Sequence, residues 1–128
     1  MIDVFDINYD KILEDAYLKH KKLIVAFDFD NTVFDYHKKN VDYKKIIDLL
    51  QECQQLGFVL ELFTSETKEE VLLWKKDYCS RTLGLNIKQY KNKEDLGKPY
   101  ANIYLDDKAG LEESYNRLKK LLDKIKAN

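Results

Sequence analysis

Leu23-Ile24-Val25-Ala26-Phe27-Asp28-Phe29-Asp30-Asn31-Thr32 is the stretch that decides the fold of this chain. An unbroken apolar run ends in two carboxylates spaced by one residue, and a hydroxyl comes next. A run of that length, rich in branched and aromatic residues, reads as a buried strand. Two acids at its carboxyl end repel each other and lose solvent, a cost that a cation or a reaction at that point offsets. The strand tip is therefore a candidate site for a hard metal ion and for phosphate chemistry.

On either side of this strand the hydrophobic spacing alternates between helix and strand. Before it, Asn8 or Asp10 is placed to cap a helix over 10–20 with the stripe Tyr9, Ile12, Leu13, Ala16 and Tyr17. After it, residues 33–41 make a short polar connection. Asp42 is placed to cap a second helix, with Ile46, Ile47, Leu49, Leu50, Cys53 and Leu56 on one face and Gly57 at its end. A second strand over 58–63 runs into Thr64-Ser65. Thr67-Lys68-Glu69-Glu70 reads as a capping box opening a third helix, whose buried face is read as Val71, Trp74, Tyr78 and Leu83 or Cys79. A short third strand over 86–90, a lysine-rich loop over 91–99 and a fourth strand over 102–105 come next. That last strand ends in Asp106-Asp107, and a final helix runs over 111–125. The alternation predicts an α/β fold: a Rossmann-like, doubly wound parallel sheet in three α/β/α layers, as a single domain over 1–128.

Composition narrows the function classes. The chain has 128 residues, 45% hydrophobic and 35% charged, which suits a globular domain rather than a disordered one. Its longest apolar runs fall far short of the roughly 20 residues a membrane span needs. The N-terminus carries no secretory pattern, so the expected location is cytoplasmic. A net charge of −1 offers no global basic field for nucleic acid. Only Arg81 and Arg117 are arginines, so bidentate phosphate clamps are scarce. Cys53 and Cys79 lack metal-ligand spacing and read as buried free thiols.

In a parallel sheet the carboxyl ends of the strands share one edge, where ligands bind. Asp28-x-Asp30, Thr64-Ser65 and Asp106-Asp107 should therefore converge. The chemistry that needs this set is phosphoryl transfer. Mg²⁺, a hard ion held by a few carboxylates, would relieve the repulsion between a carboxylate nucleophile and a phosphate. A second carboxylate can protonate the leaving oxygen and later take a proton from water. A hydroxyl and helix-initial N–H groups can cradle the phosphoryl oxygens, and a nearby lysine can balance the remaining charge.

These residues resemble the haloacid dehalogenase superfamily. Asp28-Phe29-Asp30-Asn31-Thr32 is similar to its motif I, hydrophobic-run-D-x-D-x-T; Leu62-Phe63-Thr64-Ser65 resembles motif II; Gly97-Lys98-Pro99 resembles motif III; and Ile103-Tyr104-Leu105-Asp106-Asp107 resembles the acidic motif IV. The resemblance spans residues 23–107 in the family's order. It implies that Asp28 is the nucleophile, forming an aspartyl-phosphate, and that Asp30 is the general acid/base. It further implies that Asp28, the Asp30 backbone carbonyl, Asp106 and Asp107 hold Mg²⁺. Thr32, Thr64, Ser65 and Lys98 would bind the phosphoryl group, and Thr32 would also support the motif I turn. An acid at position 30 marks the phosphatases and mutases of that superfamily.

Two features depart from most relatives. Lys98 lies only eight residues before Asp106, so Lys91, Lys93 or Lys108 could supply the charge instead. Both positions where caps are usually inserted are nearly empty, so the chain resembles the capless branch, a minimal core without a cap domain. An open site of that kind is expected to admit bulky substrates or to be covered by a neighbouring subunit in a homo-oligomer. The expected substrate is a phosphorylated small molecule, such as a nucleotide or sugar phosphate, or a nucleic-acid 3′-phosphate end. Two other classes compete. A phospho-accepting receiver-like module uses the same residue types, but with the acidic pair first and a lone acid at strand three. A non-catalytic binding subunit would not need every acid to be in place. Plainer readings also stand beside the sharp ones: Thr64 and Ser65 fit as N-caps, and Tyr36 and His37 fit as surface residues of the short connection.

Overall fold

A computed structural model describes residues 1–92 and 100–128, excepting the side chains of 89–92. The elements in chain order are α1 (Tyr9–His20), β1 (Ile24–Asp28), α2 (Lys44–Gln55), β2 (Val59–Thr64), α3 (Glu69–Arg81), β3 (Ile87–Asn92), β4 (Ile103–Leu105) and α4 (Leu111–Lys126). The chain is α/β: a four-stranded parallel sheet in the order β3-β2-β1-β4, flanked by four helices. This is consistent with a small Rossmann-like three-layer fold. Among the described residues no helix is long and apolar enough to cross a membrane.

The opening strand is central because it is apolar on both faces. Val25, Ala26 and Phe27 are fully buried. Val25 and Phe27 enter the larger core cluster, to which all four helices contribute; Ala26 joins Phe63 and Ala101 in a smaller one. The two faces of the sheet are thus unequally loaded.

Register places the site. Asp28 lies level with Phe63 of β2, and Phe27 level with Leu105 of β4. Thr64 therefore comes one residue beyond Asp28's level, and Asp106 directly after Leu105. The three polar strand ends fall on one edge of the sheet, as the alternation of patterns predicts.

Helix ends obey local chemistry, with one correction. Asn8 caps α1 through its side-chain oxygen on the Lys11 N–H, and Lys21 closes it at φ 60°. Asp42 accepts from the Lys44 N–H at the head of α2, and Gly57 takes φ 82° beyond its end. The capping box read at Thr67 is not formed. Lys68 occupies the cap position of α3 without a side-chain bond, and Glu66 Oε1 accepts from the Thr67 and Lys68 N–H groups instead. The buried face of α3 is also rotated from its reading. Cys79 and Leu83 are buried as read and Tyr78 packs on the core, but Leu72 and Lys75 are buried as well, whereas Trp74 is 47% exposed.

Candidate functional site

Each strand end is shaped by the segment that leaves it. After β1 the chain folds back at once: the Phe29 carbonyl accepts from the N–H groups of Thr32, Val33 and Phe34, and the Asn31 N–H donates to the Phe34 carbonyl at 2.7 Å. Asn31 sits at φ 59°, a conformation that asparagine tolerates better than most side chains. This tight loop fixes Asp30 beside Asp28. Asp28 Oδ1 accepts from the Phe29 N–H at 2.9 Å.

Thr32 lies beneath the site. It is fully buried, and its hydroxyl accepts from the Asp107 N–H at 3.3 Å. That bond ties the loop after β1 to the end of β4. Thr32, expected among the phosphate-binding residues, does not line the cavity between the strand ends.

Around a cavity of about 300 Å³ the strand ends bring together Asp28, Asp30, Thr64, Ser65, Asp106 and Asp107. Asp28, Asp106 and Asp107 each present a carboxylate oxygen within 4.8 Å of the other two. Burial, aided by the neighbouring Asp106 carboxylate, pushes Asp107 above the ordinary carboxylate value; a hydrogen bond with Asp28 acts in the opposite direction. Three crowded oxygen-donor acids match the ligand preference of a hard divalent cation. They could hold such an ion directly or through water.

One participant is absent from the sequence reading. Lys75, on the second turn of α3, is only 5% exposed. Its ammonium donates to Thr64 Oγ1 at 3.1 Å and pairs with Asp30 Oδ2 at 3.4 Å. It also lies 5.3 Å from the centre of the Phe29 ring. Thr64 Oγ1 additionally accepts from the Glu66 N–H at 3.3 Å. With both acceptor directions engaged, the Thr64 hydroxyl has its own proton to donate. The spacing Leu72, Lys75, Cys79 is i, i+3, i+7, a helical stripe interrupted by a lysine, and that interruption is the signal the sequence offers.

Lys98 and Lys93 lie outside the described residues, as does the side chain of Lys91. Lys108 lines the rim of the cavity, where its N–H donates to Asp106 Oδ1. Tyr36 and His37 form part of the same wall. Cys53 and Cys79 are buried free thiols, each pushed up to about 12 by burial, and stand apart from the site.

The fold has a counterpart among solved structures. A conserved protein coded by a locus of Bacteroides thetaiotaomicron aligns over 77% of this chain and 91% of its own, with 21% identity and a TM-score of 0.58. At that identity the likeness shows the fold alone. No protein-family model matches the chain, and no curated protein matches it.

Proposed function

We propose that this chain is a Mg²⁺-dependent phosphomonoesterase of the haloacid dehalogenase type, built on the capless core. The observation that carries the reading is the convergence of Asp28, Asp30 and Thr64 with the acid pair Asp106-Asp107 around one cavity, with the buried Lys75 bonded to Thr64 and Asp30 behind its lining.

The chemistry rests on the neighbours of each group. An Asp28 carboxylate oxygen attacks phosphorus as the bond to the leaving oxygen breaks. Asp30, beside it, gives that oxygen a proton. The product is an aspartyl-phosphate on Asp28 and a free alcohol. Asp30, now ionised, takes a proton from water, whose oxygen attacks the same phosphorus and returns Asp28 as a carboxylate with release of inorganic phosphate. Thr64 donates its hydroxyl proton to a phosphoryl oxygen, and the Lys75 ammonium balances the charge gathered there. Lys75 thereby takes the charge-balancing role that the motif resemblance gave to Lys98. Mg²⁺ held by Asp28, Asp106 and Asp107 would supply charge neutralisation between the nucleophile and the phosphate.

The acid pair at the last strand and the Asp-x-Asp at the first favour this reading over a receiver-like module, whose acidic pair belongs to the first strand. The test is phosphate release from an aryl phosphate and a panel of nucleotides and sugar phosphates. The expected result is turnover with Mg²⁺ that EDTA abolishes and added Mg²⁺ restores. Turnover indifferent to EDTA would remove the metal from the account. An absence of turnover across the panel would count against the enzyme reading.

A further inference from the structure

We infer that Tyr36 and His37 form a platform for a planar ring on the leaving group, so that the site selects phosphomonoesters of the nucleotide type. This inference rests on the phosphatase reading of the same cavity and adds its substrate class.

The two residues are not loose surface side chains. The Tyr36 N–H donates to the Phe34 carbonyl at 2.9 Å, and the Lys38 N–H donates to the Asp35 carbonyl at 3.2 Å. The Asp35 carboxylate accepts from the Lys39 and Val41 N–H groups at 3.1 and 3.2 Å. Those four bonds close the segment on itself and pin it to the loop that carries Asp30. Tyr36 is nevertheless 58% exposed, and the His37 ring stands nearly perpendicular to its ring, 5.2 Å away at 80°. An edge-to-face partner fixes the plane of the tyrosine ring. The result is an aromatic ring, braced by His37, in the wall of a cavity whose other lining is carboxylate, hydroxyl, amide and ammonium.

Among the described residues, Tyr36 and His37 are the only rings lining that cavity. Its volume, about 300 Å³, is at the small end for ligand sites, so a nucleotide would place its phosphate among the acids and its base against the rings of the wall. A ligand whose phosphate rests between Asp28 and Thr64 leaves by way of Asp30. Tyr36 lines the same cavity as Asp30, so a leaving group that extends past Asp30 has a ring in the same lining to meet. A nucleobase stacks on such a face whatever its identity, because every base has a π-surface. A bare sugar phosphate has nothing to place there.

The test compares kcat/KM for adenosine monophosphate with that for ribose 5-phosphate, in the wild type, Tyr36→Ala and Tyr36→Phe. The expected wild-type preference for the nucleotide is about tenfold or more. It should collapse toward unity in Tyr36→Ala and persist in Tyr36→Phe, which keeps the ring and serves as the folding control. No preference in the wild type, or a preference that survives Tyr36→Ala, would overturn the platform. A wild type that hydrolyses neither compound would count against the phosphatase reading instead. Equilibrium dialysis of the same two ligands against the same three proteins would then decide the ring preference without turnover. A trinucleotide bearing a 3′-phosphate, included in both assays, distinguishes the source of the base. Stronger use of it than of the mononucleotide, lost in Tyr36→Ala, assigns the platform to a strand end; weaker use assigns it to a free nucleotide.

Discussion

Lys75 carries the sharpest argument at the scale of single residues. Removing an ammonium from water costs several kcal/mol unless it finds close partners, and removing one partner of an ion pair is costly only where the charge left behind stays buried. Here the partners are Thr64 and Asp30, and Asp30 itself retains a third of its side-chain exposure. A pair so placed adds little to stability, so the cost of keeping the charge is best explained by its effect on a ligand. Lys75→Met should therefore lower phosphate release by about 10²–10³. Its melting temperature should stay near that of the wild type or rise. Initial rates and thermal melts on one preparation check both. A variant that loses stability along with activity would make Lys75 a structural residue.

At the scale of elements, the strands are more legible than the faces of the helices. A run such as Ile24 to Phe27 is apolar whichever residue is taken first, so its reading as a strand buried on both sides cannot slip. The stripe of α3 can. Reading Val71 and Trp74 as buried differs from the observed Leu72 and Lys75 by one residue, a rotation of about 100°, although Cys79 and Leu83 are buried as read. Trp74 is large and apolar while Lys75 is charged, which favours the first face; tertiary packing and the carboxylate at Asp30 outweigh that preference. The same shift hides Lys75 from the site. The start of α3 departs from its reading for a related reason: Glu66, one residue before Thr67, supplies the acceptor for the first N–H groups.

The pairing of α1 with α4 offers a pH test at this scale. Arg117's hydrogen bond holds the Asp10 carboxyl below its ordinary value of 3.8, with Lys120 assisting. A carboxyl whose folded pKa is depressed adds stability above its unfolded pKa and loses it as pH falls through the folded value. The advantage of the wild type over Asp10→Asn should thus be full at neutral pH and shrink below about pH 4. Asp10 is 46% exposed, so added salt should reduce that advantage as well. Denaturant titrations of both proteins at neutral pH and at about pH 3 measure it. An equal gap at the two pH values would show that Asp10 acts through packing and not through charge.

For the molecule as a whole, one edge of one sheet explains why residues far apart in sequence meet. Parallel pairing of β1 with both β2 and β4 sets Asp28, Thr64 and Asp106 at adjacent levels, and the Thr32–Asp107 bond locks two of the strand ends together. That convergence is legible because parallel strands share a polarity; which lysine joins it is not, because a helix face must be known before its residues can be placed. In the proposed reaction everything turns on attack by Asp28 at phosphorus. It is tested most directly by the initial rate of phosphate release, with Mg²⁺ present, from the wild type and from Asp28→Asn, an amide of the same shape that is a far weaker nucleophile. Phosphate release should fall by at least about 10³ in Asp28→Asn. A near-normal rate there would contradict attack by Asp28.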